Sequence, residues 1–155
     1  MALEVPGVLE SLSAAGSALS ALTNWRKKAR GDARALIGEL KDNLYYLDMV
    51  AEDGVALATV VNKLSIAEFK RLSKEGYSFN SLKRQKIANY ESLKGTDLSS
   101  WVDKSTEELI DSIFEKLNLL KIKYPHVAED SKYRWNVRVD NIRKRIWLLL
   151  KHVGA

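Results

Sequence analysis

Residues 131–153 read SKYRWNVRVDNIRKRIWLLLKHV, and their periodicity decides the fold class. Trp135, Val139, Ile142, Ile146, Leu149 and Val153 recur at steps of three and four, which places one apolar stripe on a helix. Asp130 stands where a helix N-cap belongs, and Gly154 where a helix stops. The spacing therefore predicts a long basic helix over residues 131–153.

Working outward, the same period recurs along the chain. Ser105-Thr106-Glu107-Glu108 has the form of a capping box, and Leu109, Ile110, Ile113, Phe114, Leu117, Leu120 and Ile122 follow at helical spacing. Tyr124-Pro125 is read as its end, because a residue before proline avoids helical dihedrals, which leaves His126 in a solvated turn. Ser65-Ile66-Ala67-Glu68 is a second capping box, opening a short helix through Phe69 and Leu72 to Gly76. From Gly76 to Ser100 the pattern weakens to a connector, with one short helix expected near Leu82 to Tyr90. Asp32 is a candidate N-cap for a helix carrying Leu36, Leu40, Leu44 and Leu47. Asp53-Gly54 interrupts it, and whether residues 51–64 continue that helix or form another stays open. A first helix is expected from Val5 to about Lys28, with Val5, Val8, Leu9, Leu12, Ala15, Gly16 and Leu19 on one face and Gly31 as its stop. No segment alternates with period two over strand length. The expectation is a single all-α domain over residues 1–155, an antiparallel bundle of about four main helices with a short-helix connector in the middle.

Composition agrees with a globular chain and narrows the chemistry. Of 155 residues 46% are hydrophobic and 29% charged, enough to bury a core, and there is no cysteine. Cysteine nucleophiles are thereby excluded. The only histidines are His126 and His152, so nothing has zinc-ligand spacing, and no phosphate-cradling glycine motif occurs. No cofactor or metal is expected. Glu4 stands where an export signal would carry a basic residue, and the longest uncharged run, Ser11 to Trp25, falls short of the roughly 20 apolar residues of a membrane span. The expected location is cytoplasmic, and a membrane partner is not expected.

Charge is distributed unevenly. The formal net charge is +5, yet residues 131–155 alone hold seven basic side chains against one acidic, leaving 18 against 19 elsewhere. Such asymmetry points to an anionic partner. At about 100° per residue, with Arg134 set at zero, Arg138 falls near 40°, Asn141 near 340°, Arg145 near 20° and His152 near 0°. These five residues share one polar edge beside the apolar stripe and are the candidate anion-binding residues. The plain structural account of that edge is helix-to-helix salt bridges, with arginine stems lying on the core. Tyr133 and Trp147 read as free to stack on bases. Tyr77, Phe79, Tyr90, Trp101 and Trp147 are candidates for a partner surface.

Arg145 and His152 also stand seven residues apart in RIWLLLKH, which resembles the R-x4-6-H motif of HEPN domains. Those are helical bundles, often ribonucleases, in which the arginine and histidine serve RNA cleavage across a dimer interface. The resemblance implies an alternative function as a ribonuclease or toxin, with Arg145 and His152 as the catalytic pair. The residues themselves, which mark no catalytic constellation, point first to a non-enzymatic interaction module. Its expected partner is another protein or a second copy, with nucleic acid next.

Overall fold

The structure, a computed structural model, describes residues 17–155, and the chain is an all-α helical bundle. The face proposed for residues 5–16 lies outside the described residues. Helix α1 (Ser17–Lys28) buries Ala18 and Leu22 and ends on Arg26, Lys27 and Lys28, where the helix dipole favours cations. Two residues later α2 (Gly31–Asp53) doubles back along it. Arg34 reaches the Arg26 carbonyl at 3.4 Å, and a Cβ built on Gly38 would sit 3.0 Å from Arg26 Nε. Helix α2 begins two residues earlier than the Asp32 cap would put it, with Arg30 at the cap position. Asp32 lies in its first turn and accepts an ion pair from Arg71 at 3.3 Å instead.

Gly54 resolves the ambiguity after α2. Its φ of 71° is left-handed, its N–H bonds to Met49 O, and the helix ends there. Helix α3 (Leu57–Val60) is thus separate, running into a 3-10 turn, Val61–Lys63. Helix α4 (Ala67–Lys74) follows, but not through the predicted box. Its N-terminus is capped from α2: Glu39 accepts from Glu68 N (2.9 Å), Phe69 N (2.9 Å) and Ser65 Oγ (2.7 Å). One turn along α2, Asn43 pairs with both backbone groups of Ser65 at 2.7 and 2.8 Å. The buried Glu39 carboxylate takes the amide that the Ser65 hydroxyl would cap, and Asn43 Oδ1 takes the Ser65 amide that Glu68 would have accepted from, so Glu68 is left to pair with Arg71 at the surface.

The connector contains no helix near residues 82–90. It makes 3-10 turns at Phe79–Leu82, Glu91–Leu93 and Asp97–Trp101, and between them Ile87 exchanges backbone bonds with Asp103 and Lys104 at 2.9 Å each. That pairing holds residue 87 against the neighbouring segment, and a helix there would forfeit it. Phe79, Ile87, Leu93, Leu98 and Trp101 pin the connector to the core.

Helix α5 (Thr106–Val127) opens on the predicted capping box, with Ser105 and Glu108 bonded reciprocally. It does not stop at Tyr124. Pro125 and His126 are inside its last turn, where a proline removes only the bond to Lys121 O and the ring is exposed. Ile122, expected in the core, is 58% exposed. Asp130 caps a 3-10 turn, Ser131–Tyr133, rather than the last helix. Helix α6 (Trp135–Val153) starts four residues later than predicted and ends on left-handed Gly154. Helix α6 runs antiparallel to α5, since His152 meets Thr106 at one end while Arg138 shares a cleft with Lys116 and Leu120 at the other. It lies between α5 and α2. Ile146, Trp147, Leu148, Leu149 and Leu150 are therefore all buried, and this stretch of α6 has no free face.

Candidate anion-binding groove

The predicted polar edge divides into two places. Arg134, Arg138 and Asn141 line a groove of about 320 Å³ between the N-terminal half of α6 and the middle of α5. Lys116 faces them from α5, and Lys132 and Tyr133 come from the turn before α6. His152 lies at the far end of α6, away from this groove.

Local geometry explains how the groove is furnished. Arg134 is the hinge between the 3-10 turn and α6, with left-handed dihedrals (φ 47°, ψ 59°) that let the chain change direction. Its carbonyl accepts from Val137 N and Arg138 N, starting the helix. Arg138 Nε donates to Tyr133 O at 2.7 Å, and its guanidinium lies 5.5 Å from the Tyr133 ring and 5.6 Å from that of Trp135. The two rings stack on each other, with centroids 5.2 Å apart and planes 11° apart, and Tyr124 meets Trp135 edge-on. Lys123 and Lys132 also lie within 5.4 Å of the Tyr133 ring.

The electrostatics of the groove are one-sided. Lys116, Lys132, Arg134 and Arg138 line it, and no aspartate or glutamate does. Among the described residues no carboxylate comes within salt-bridge distance of Lys116, Arg134, Arg138 or Arg145, while Lys132 has only Asp130, at 3.7 Å. Burial, and then the neighbouring Arg145 and Arg138, hold the Lys116 ammonium below its ordinary pKa. Salt bridges thus do not account for the edge. The salt-bridged arginine of α6 is Arg143, whose azimuth in the helix gives no sign of it. It is 5% exposed and meets Asp48 (2.8 Å) and Glu52 (2.8 Å) on α2 and Asp140 (3.1 Å) on its own helix.

A second, wider pocket of about 410 Å³ offers a contrast. Arg26, Arg34 and Lys63 line it together with Glu39, Asp42 and Glu68, so its charges balance, and Glu39 is already committed to capping α4.

The two residues of the Arg-His spacing have separate surroundings. Arg145 donates to Asn141 O at 2.9 Å, lies 5.9 Å from the Trp101 ring and has a buried Nε without a partner; burial lowers its pKa, with Asp97 opposing. His152 is 3% exposed, and its Nε2 lies 2.8 Å from Thr106 Oγ1. That hydroxyl donates to Lys83 O at 2.6 Å, so Nε2 carries the hydrogen and donates to it. Burial, then Lys83, pushes the imidazole below its ordinary pKa, which favours its neutral form. A neutral imidazole whose polar atom is engaged in the interior offers no cation to an anion.

The aromatic expectations change as well. Phe79, Trp101 and Trp147 are core residues, 3%, 8% and 8% exposed, and Tyr77 and Tyr90 pack half-buried against the core. Trp147 is covered by the Arg143 guanidinium, 5.0 Å from its ring. Tyr133 is half-buried as well, and it alone of the stacking candidates lines the groove. Lys116 could not have been found from α6 alone, because it enters from a helix 18 residues upstream of Arg134.

Among the described residues no group of three or more His, Asp or Glu side chains is placed to hold a metal ion, and no helix is long and apolar enough to cross a membrane. No protein-family model, curated protein or solved structure matches this chain.

Proposed function

We propose that this chain is a non-enzymatic binding module that takes an anionic macromolecule in the groove between α5 and α6. The observation that carries this reading is the gathering of Lys116, Lys132, Arg134 and Arg138 around one cleft with no carboxylate among its lining residues. Like charges brought together at a partly dehydrated site repel, and a bound polyanion turns that repulsion into attraction. Arg143 shows what a structural arginine looks like in this fold: buried, with three carboxylates around it. The groove cations have no such enclosure. The HEPN-type alternative draws less support, because His152 is turned into the core toward Thr106 and Arg145 toward the Asn141 carbonyl.

Heparin serves as a generic polyanion for the test. The protein is expected to bind it at low salt with an affinity that falls steeply as salt rises, and Arg134→Glu with Arg138→Glu should abolish binding without altering the far-ultraviolet circular dichroism. Binding that does not respond to salt, or that survives both charge reversals, removes the groove from consideration.

A further inference from the structure

We propose that the occupant of this groove is an unpaired nucleic-acid strand, with a base stacked at Tyr133 and the flanking phosphates held by Lys116, Arg134 and Arg138. This rests on the anion-binding reading above and narrows it to one class of polyanion. Three features of the site favour a strand with exposed bases over other polyanions.

The first is the aromatic element among the cations. Tyr133 is backed by Trp135 in a stacked pair, and Tyr124 braces Trp135 from the side, so the platform is held in place. Lys123, Lys132 and Arg138 lie over the same ring, so a stacked base takes the place of the two lysine ends, which turn to its phosphates. A nucleobase gains more from an aromatic face than an acidic peptide or a sulfated sugar does, because it stacks through a whole planar π-system. The second is the shape of α6. A duplex is read by a helix standing clear in its major groove, whereas α6 is packed between α5 and α2 and buries its whole surface over residues 146–150, so only its first turns reach the surface. What α6 and its preceding turn do offer is a cleft of about 320 Å³, at the lower end of small-ligand pocket volumes and suited to a single splayed nucleotide rather than a double helix. The third is Asn141 beside the cations in the groove wall, whose amide can both donate to and accept from a base edge. Lys116, desolvated and flanked by Arg138 and Arg145, gains most from a phosphate placed beside it.

The test measures fluorescence anisotropy of a labelled single-stranded oligonucleotide, with the same sequence as a duplex, inorganic polyphosphate, and phosphatidylserine vesicles as competitors. The single strand is expected to bind tightest. Its affinity should fall about tenfold in Tyr133→Ala, hold in Tyr133→Phe, and fall in Arg138→Gln. Polyphosphate binding should be indifferent to Tyr133→Ala. If Tyr133→Ala and wild type bind the strand within twofold, the stacking proposal is overturned while the anion groove stands. The same holds if duplex, polyphosphate or vesicles compete as well as the strand itself. If the strand, heparin and polyphosphate all fail to bind at low salt, both readings fall together.

Discussion

A Glu39→Ala variant loses three hydrogen bonds at once: those from Glu68 N and Phe69 N at 2.9 Å and from the Ser65 hydroxyl at 2.7 Å. Glu39 is 7% exposed, so the two amides of the first turn of α4 are left in poorly hydrated surroundings. A buried donor stripped of its partner costs about 1–3 kcal/mol. The neighbouring pocket of about 410 Å³ admits water and places each amide near the lower end. Two amides at about 1 kcal/mol and a charge-assisted hydroxyl bond of similar size give a destabilisation of about 3 kcal/mol. Glu39→Gln keeps the shape and one acceptor oxygen, and should lose roughly half as much. The decisive comparison is Ser65→Ala. If Ser65 were the cap, as its position in Ser-x-x-Glu suggests, its loss would match that of Glu39; with Glu39 as the cap it should cost less than half. Urea unfolding followed by circular dichroism and tryptophan fluorescence measures all three. A Glu39→Ala protein within about 0.5 kcal/mol of wild type, or a Ser65→Ala protein that is the less stable of the two, would refute capping from α2.

Three further outcomes follow from the same contacts. Arg143→Ala leaves the half-buried Asp48 without its guanidinium and should destabilise by about 3 kcal/mol, while Arg143→Met, which refills the volume, should recover part of that; equal losses in the two would show that packing around the ion pairs is irrelevant. His152 has a lowered pKa because its charged form is buried, so the unfolded chain takes up a proton below the ordinary imidazole value of 6.5 before the folded one does. Its contribution is therefore complete above pH 6.5 and is lost as pH falls below that value toward the folded pKa. The slope of stability against pH between 7 and 5 should flatten in His152→Gln, and an unchanged slope counts against the assignment. Ser105→Ala should cost about 1 kcal/mol by loss of the α5 cap, read as a drop in thermal midpoint, with no effect on heparin affinity; a shifted affinity would mean the cap communicates with the groove.

How far the residues alone reach depends on how local the deciding interaction is. The Ser105 box formed as read because cap, amide and glutamate lie within one turn of chain, and no other element competes for them. The box at Ser65 has the same letters and failed, because Glu39, 26 residues earlier, brings a better acceptor to the same amides. Pro125 breaks a helix in its interior, yet in a last turn it forfeits a single bond. The angular reading of α6 placed Arg138 and Asn141 on one side because their azimuth is a property of one helix, whereas Arg134 reaches the same groove through the left-handed turn before α6. It misplaced His152 and Trp147, whose burial is decided by α5, the connector and α2, and it missed Arg143, whose partners Asp48 and Glu52 lie over 90 residues away.

Arg134 carries one more consequence. A side chain with Cβ pays roughly 1–2 kcal/mol to sit in the left-handed region, and glycine would be relieved of it at a smaller entropic penalty. Arg134→Gly should therefore melt no lower than wild type while binding polyanions more weakly. At this position the chain that folds best and the chain that binds best differ, which makes residue 134 a point where thermal robustness and ligand affinity trade against each other within one turn of backbone.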